Sequence, residues 1–404
     1  MTNKDATIQI KIKFIMLIGK SLHRYGASAD RIEKALTLLC QNLSVQGEFF
    51  SLPTGIFASF KSIDDEFNRM ERLEPGKINL AKLYFVDQTV DQVAENSITI
   101  EDGIQQTLDV LSSELQFNNI QSSFAYSLIA MSICIFLDGT YVDALVSIFI
   151  GFIVGFFAES VKEERIDSIS EGINSFLVAI LCIGIGVYYP INTNIVILSS
   201  LITLVPGLSV TMAIGELSSQ NLTSGTARLL GASMILLKIS FGVFIGNEAM
   251  RSIGMINTST PLIDHSLYVV IPMLFICAVG FSIAFQARIK DIPWIIIAAF
   301  VSYFSSEIFN SFLGPIAGVL CSGTIIGASS NLFSRIMNRP ALIFLLPAII
   351  LLVPGSIGFQ GLNLLFSQDM IQGINTIFKM TAVAIALVIG TYFGSLLIKP
   401  RRSL

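Results

Sequence analysis

Leu204-Val205-Pro206-Gly207 and Leu352-Val353-Pro354-Gly355 are one break, Leu-Val-Pro-Gly, written twice in very apolar surroundings and 148 residues apart. The same offset aligns Asp143 with Asp291, Phe152 with Phe300, Phe156 with Phe304 and Glu159 with Glu307. It also aligns Ser219-Gln220 with Ser367-Gln368, Gly225 with Gly373, Gly242 with Gly390 and Gly246 with Gly394. Apolar matches arise by chance; an ungapped run of proline, glycine and acidic matches does not. The apolar region is therefore an internal repeat. Paired helix breaks in corresponding places of two halves are the sequence mark of a transporter's substrate site.

Composition places the repeat in a membrane. The chain of 404 residues is 53% hydrophobic and 13% charged, too apolar for a soluble protein of this length. Charge is uneven: residues 1–118 hold 12 Lys+Arg and 16 Asp+Glu, and the rest holds 13 of each. No basic tract points to nucleic acid. Met1-Thr2-Asn3-Lys4-Asp5 is not followed by the apolar core of a cleaved signal peptide, so the chain is expected to start in the cytosol.

From residue 119 the pattern changes to apolar runs of bilayer length, near 119–137, 141–158, 172–189, 194–215, 229–247, 266–286, 292–309, 314–332, 341–361 and 374–398. Tyr189-Pro190-Ile191-Asn192 divides spans three and four, and the stretch from Asn310 to Pro315 divides seven and eight. With the N-terminus inside, the inner loops and tail hold Lys162, Arg165, Arg228, Arg288, Lys290, Arg335, Arg339, Lys399, Arg401 and Arg402, whereas the outer loops hold only Arg251. That asymmetry puts both termini in the cytosol. Five spans separate each residue from its repeat mate, and five is odd, so the halves run in opposite directions. The expected fold class is an α-helical polytopic membrane protein of about ten helices, a 5+5 inverted repeat (119–250 and 260–404) behind a cytosolic α+β domain (1–118).

Within that first domain, helical spacing of Ile10, Phe14, Leu17, Ile18 and Leu22 predicts a helix, and Asp30-Arg31-Ile32-Glu33 has the form of a capping box opening a second. Three strands follow over Glu48–Leu52, Gly55–Phe60 and Phe67–Leu73, closed by Pro75-Gly76. Asn79, and Thr99 with Asp102, are expected to cap two further helices.

The candidate site follows from backbone chemistry. Proline inside a span removes a hydrogen bond, glycine beside it permits close approach, and lipid tolerates such a break only where protein or water faces it. Half-helices starting after Pro206 and Pro354 would present free N–H groups and a positive dipole end to a carboxylate. Pro206, Gly207, Ser209, Thr211, Pro354, Gly355 and Gln360 are the candidate substrate-binding residues. Intramembrane ionisable groups are costly and mark function; Lys238, ten residues into span five, is the clearest, and Asp143, Glu159 and Glu307 complete the coupling candidates. The Gly-x-x-x-Gly pairs at 151/155, 242/246, 314/318, 323/327 and 390/394 read as helix-packing faces. Cys134, Cys182, Cys277 and Cys321 lie in apolar runs, and two histidines are too few for a metal site. His23, Asp30, Glu33 and Thr54 form no recognisable hydrolytic motif, and no P-loop, dinucleotide fingerprint or zinc spacing occurs, so neither an enzyme nor ATP-driven transport is expected.

Several of these stretches together resemble the threonine/serine exporter family. Tyr25-Gly26-Ala27-Ser28-Ala29-Asp30-Arg31-Ile32-Glu33 with Pro53-Thr54-Gly55-Ile56 looks like the start of its N-terminal module. Leu137-Asp138-Gly139 before Asp143-Ala144-Leu145 is similar to that module's first hairpin, and Val205-Pro206-Gly207 through Gly225 and Arg228 to its end. Arg339-Pro340-Ala341 leading to Val353-Pro354-Gly355 resembles the second module. The resemblance implies secondary export, of threonine and serine in some members and of C4-dicarboxylates such as succinate in others, driven by the proton gradient or membrane potential. The two modules are separate subunits in some members and fused here. The expected partners are a small carboxylate-bearing metabolite, the lipid bilayer and the proton, with self-association left open. No cofactor is expected, and the expected location is the inner membrane. A passive channel and a membrane sensor or scaffold are the rival readings.

Overall fold

The computed structural model describes residues 3–61, 66–74, 76–160 and 164–400; Met1, Thr2, Pro75, Lys162, Arg401 and Arg402 lie outside them. The N-terminal part begins with α1 (Asn3–Arg24) and α2 (Ala29–Asn42), followed by β1 (Gln46–Leu52), β2 (Gly55–Lys61) and β3 (Glu66–Arg72) in an antiparallel sheet of order β1-β2-β3. Ile56, Ala58 and Phe60 alternate inward on β2, while Phe57 faces out beside Phe50. Two helices complete this part, α3 (Leu80–Ala94) and α4 (Ile100–Ser112). Asn79 caps α3 by accepting from the Lys82 N–H, and Thr99 and Asp102 form a reciprocal capping box on α4. The box expected at Asp30 and Glu33 does not form. α2 starts at Ala29, Ser28 donates to the Asp30 carboxylate at 2.6 Å, and Glu33 instead accepts from the Ser51 N–H at 2.8 Å, tying the helix to β1.

The membrane region follows as α5 (Asn119–Phe136), α6 (Tyr141–Ser160), α7 (Glu164–Gly186), α8 (Thr193–Leu201), α9 (Gly207–Ser218) and α10 (Leu222–Ser252). Its second half is α11 (Leu267–Ala284), α12 (Ile292–Leu313), α13 (Pro315–Met337), α14 (Leu342–Ile350), α15 (Gly355–Phe366) and α16 (Met370–Leu397). Among the described residues nine segments are long and apolar enough to cross a bilayer, α14 and α15 counting as one. The α8–α9 pair, broken at the corresponding place, supplies the tenth unit, so five fall in each half. The division between α12 and α13 is tighter than expected. α12 continues to Leu313, and Gly314 turns the chain alone at φ +77° before Pro315 opens α13.

The repeat is visible in the backbone. Pro206 and Pro354 share φ −80°, with ψ of 41° and 38°, and each is followed by a helix of 12 residues. Asp138 and Gln286 both take positive φ after the first helix of their half, and Gln220 and Gln368 both have φ +67° after the broken span. The glycine pairs pack helix on helix: a methyl on Gly155 would lie 2.8 Å from the Ser123 Cα on α5, and one on Gly246 2.7 Å from the Ala179 Cβ on α7.

The N-terminal part sits on one face of this bundle. Leu80 N–H donates to the Phe285 carbonyl and Ala81 N–H to that of Gln286, at 2.9 and 3.1 Å. The Gln286 side chain accepts from the Phe117 N–H and donates to the Phe117 carbonyl. One buried apolar cluster runs from Ile18 and Leu36 through Phe285 to Leu342 and Leu346, joining the sheet domain to the bundle. Arg228, Arg288 and Arg339 lie on this same face. The segment before α11 covers the opposite face, with Ile263 N–H bonded to the Asp138 carbonyl and His265 Nε2 to that of Gly139.

Candidate functional site

The two helix breaks meet. A Cβ added to Gly207 would overlap Val353 Cγ1 and lie 2.9 Å from the Gly355 Cα; one added to Gly355 would lie 2.9 Å from Val205 Cγ1 and 3.2 Å from the Gly207 Cα. Only glycine lets the two backbones approach so closely. Pro206, Gly207, Pro354 and Gly355 are all buried. Because both α9 and α15 begin at this contact, two positive helix ends converge on it. Gly207 and Gly355 N–H groups bond back to Val205 and Val353. The next two amides of each helix, at Leu208 and Ser209 and at Ser356 and Ile357, come too early in the helix for an i−4 partner.

Polar side chains divide around this junction. Ser209 is half-buried two residues into α9. Thr211 is buried, and its hydroxyl donates to its own helix at the Gly207 carbonyl, 3.2 Å. Gln360 is exposed, roughly 140° round α15 from Gly355, so it stands apart from the contact. Just before the first break the Ser200 and Thr203 hydroxyls are buried with no hydrogen-bond partner among the described residues. Unsatisfied hydroxyls beside a helix break are the polar groups a bound solute or water would complete.

The coupling candidates lie elsewhere. Lys238 on α10 pairs with Glu171 on α7 at 3.2 Å, an intramembrane ion pair between neighbouring helices. Asp143 is fully buried at the start of α6, where it accepts from the Thr140 N–H at 2.8 Å and the Asn192 N–H at 2.7 Å. Glu159, at the other end of α6, pairs with Lys77 of the N-terminal part at 3.1 Å. Its repeat mate Glu307 is exposed near Tyr303, which is also within electrostatic reach of Asp138 and Asp264. Among the described residues, Asp143, Glu159 and Glu307 share no hydrogen bond or ion pair with the junction residues.

The charged group closest to the junction in the chain was missed at the sequence level. Glu216, on α9, is 0% exposed and receives four donors: Ala29 N–H and Arg228 Nη2 on Oε1 at 3.0 and 2.9 Å, and Ser224 Oγ and Arg228 Nε on Oε2, both at 3.0 Å. Four hydrogen bonds saturate a carboxylate. Ala29 is the first residue of α2, so this carboxylate latches the N-terminal part to the end of the broken span. Beside it a cavity of about 100 Å³ lies between Ser28, Asp30 and Arg31 on one side and Thr211, Leu345 and Leu387 on the other. That holds about three waters at liquid density. The signal in the sequence was an acid in an apolar helix with an arginine twelve residues on, across a short turn.

Comparison with known proteins identifies the family. The family model described as "Putative threonine/serine exporter" matches residues 13–250, and that described as "Threonine/Serine exporter" matches 271–397. Similar curated proteins include the pheromone-regulated membrane protein 10 of Pichia sorbitophila, 25% identical over 96% of this chain and 42% of the relative. The protein of the same name from Debaryomyces hansenii is 24% identical over 98% and 41%, and that from Candida albicans 26% over 93% and 35%. The chain spans less than half the length of these relatives. No solved structure matches it significantly. The first model covers the stretch from α1 through α10 and the second the stretch from α11 through α16, so the chain belongs to the threonine/serine exporter family, carrying both of its membrane modules in one polypeptide.

Proposed function

We propose that the chain is a secondary active exporter of small hydrophilic carboxylates, threonine or serine foremost, working by alternating access and driven by the proton motive force. One observation carries this reading: two repeat-related half-helices present their N-terminal ends at one buried contact. A carboxylate placed there accepts from the amides of Leu208, Ser209, Ser356 and Ile357 in a region of low dielectric. Pro206 and Pro354 hold the chain out of helix, and Gly207 and Gly355 admit the backbones and the solute. The Ser200 and Thr203 hydroxyls supply polar contacts for the rest of an amino acid. The Glu216–Arg228 latch and the Ser28–Arg31 segment close one side of the path, so release of α2 from Glu216 opens it.

The meeting of two positive ends also favours a second substrate class. A C4-dicarboxylate would place one carboxylate at each helix end, whereas threonine or serine uses one. Uptake of labelled threonine, serine and succinate into inverted vesicles, with and without a protonophore, separates these cases. Uptake of either class that collapses with the protonophore supports the exporter, uncoupler-insensitive flux identifies a channel, and no flux of any of the three overturns the proposal. The same reading places the N-terminal part and both termini in the cytosol, with the protein in the cytoplasmic membrane, because the arginine-bearing face is the one that part covers. A reporter active only outside the cytosol should work near Met255 and fail near Ile336.

A further inference from the structure

A cavity of about 680 Å³ lies where the N-terminal part meets the bundle, apart from the helix-break junction. It is lined from α1, from the segment between β3 and α3, and from the ends of α6 and α11. Its charge is lopsided. Lys20 is paired with Glu71 at 2.5 Å and Lys77 with Glu159 at 3.1 Å, while Lys82 donates to the Ser113 and Leu111 carbonyls at 2.7 and 3.3 Å. Arg24 and Arg72 line the same space with no ion-pair partner among the described residues, and Glu74 is the remaining acid on the wall. Positive charge accumulates here: Lys82 is held below its ordinary pKa first by burial and then by Arg24.

Two further wall residues are built to receive something. His23 is 7% and Tyr25 4% exposed, and the His23 Nδ1 and the Tyr25 hydroxyl are buried with no hydrogen-bond partner among the described residues. His23 Nε2 lies 3.0 Å from the Leu52 carbonyl, which can only accept, so Nε2 carries the proton. Burial lowers the His23 pKa, which keeps the ring neutral and leaves Nδ1 a lone-pair acceptor. The wall thus offers two guanidinium groups and a phenol as donors and one imidazole nitrogen as acceptor. A carboxylate would satisfy the donors alone. A phosphate that retains one O–H satisfies both kinds, and guanidinium forks match its oxygens.

We propose that this cavity is a binding site for a phosphate-bearing group, held by Arg24 and Arg72 and completed by Tyr25 and His23. The site lies between the sheet domain and the bundle, where both a soluble phosphate or phosphomonoester and the phosphomonoester headgroup of a lipid can reach it. Arg24 is also five residues along the chain from Ala29, the latch residue.

The test uses the purified full chain. Inorganic phosphate is titrated against it in detergent by calorimetry, with sulfate, which lacks the O–H at neutral pH, and succinate as comparators. The chain is separately reconstituted in nanodiscs of phosphatidylcholine with and without phosphatidic acid, whose phosphomonoester keeps an O–H near neutral pH, and its thermal unfolding recorded. Phosphate binding in detergent assigns a soluble ligand; a rise in thermal midpoint with phosphatidic acid alone assigns a headgroup. In either case Arg24→Gln with Arg72→Gln should weaken the effect about tenfold or more. Both side chains are exposed, so the variant should fold, and an unchanged midpoint without ligand checks this. Absence of any effect of phosphate and of phosphatidic acid overturns the proposal, as does an effect the double variant retains. Binding of succinate or sulfate as tightly as phosphate also overturns it. None of these measurements involves transport, so failure here leaves the exporter reading intact.

Discussion

The two halves of the bundle agree at their centre and disagree at their ends. At the centre Pro206 and Pro354 have the same backbone angles to within a few degrees, and each adjoining glycine touches the other's backbone. At the ends, Asp143 and Asp291 are both fully buried at the start of the second helix of their half, yet their partners differ in kind. Asp143 is held by backbone N–H groups, and Asp291 by Arg288, at 2.7 and 3.0 Å, and by Arg339. Glu216, Ser224 and Arg228 of the latch correspond to Leu364, Gln372 and Thr376 in the second half, where no such pairing can form. In the proposed alternating-access cycle both states use the centre, which keeps it symmetric. The ends would then face different compartments, which accounts for arginines and a docked domain at one and not at the other.

The comparison breaks most sharply at the centre. Gly207→Val and Gly355→Val should each lower transport at least about a hundredfold, as small displacements at a site can. Pro206→Leu and Pro354→Leu should do the same by letting helix run through the break. Of the alanine changes, Gly207→Ala should be the worse, because its Cβ overlaps Val353 whereas that of Gly355 stops 2.9 Å from Val205. Initial-rate uptake at equal membrane abundance checks all six; full transport by both leucine variants removes the proposed site.

The latch comes next. Glu216→Gln strands Arg228 and should cost about 3 kcal/mol in stability, since breaking a buried pair leaves an uncompensated charge. Glu216→Leu combined with Arg228→Thr, which copies Leu364 and Thr376 of the second half, should recover most of that loss. If the double variant is as unstable as the single one in chemical denaturation, the symmetry argument is wrong.

A smaller contrast concerns Asp138 and Gln286, repeat mates with φ of +60° and +51°. Asp138→Gly should change stability by no more than about 1 kcal/mol, because relief of the left-handed strain offsets the glycine's extra entropy. Gln286→Gly relieves the same strain but removes the side chain that bridges to Phe117, so it should destabilise by about 1 kcal/mol per hydrogen bond lost. Equal midpoints for the two would show that the bridge contributes nothing to docking.

The gentlest effect is a pH dependence. The folded pKa of His23 lies below its ordinary value, chiefly from burial, so its contribution to stability is present above about pH 6.5 and is lost as pH falls below that. In phosphate-free buffer the wild type should lose stability between pH 7 and 5 more steeply than His23→Gln. Parallel profiles would exclude His23 as the titrating group.

How much of this could be read from residues alone follows from the range of each interaction. Spans, turns and caps are local: Asn79, Thr99 with Asp102, and the Leu-Val-Pro-Gly breaks act on chain within a few residues, and the inversion follows from counting spans between matched residues. The box misread at Asp30 and Glu33 shows the limit, because Glu33 had the right spacing but a better partner in Ser51 on β1. Lys238 announced itself as an intramembrane charge, but Glu171, 67 residues away, gives it a helix-to-helix role. Gln360 looked like a site residue by its place after Gly355 and turned out exposed, since direction round a helix matters only once its neighbours are in position. The sequence by itself determined that the chain is a membrane-embedded inverted repeat with two helix breaks, because hydropathy, proline chemistry and internal repetition are properties of the chain. Only the tertiary structure decided that the breaks touch, that Glu216 holds Ala29 from 187 residues away, and that arginines gather under one domain. Those outcomes depend on packing between segments distant in sequence, where many partners are chemically acceptable and the fold selects one.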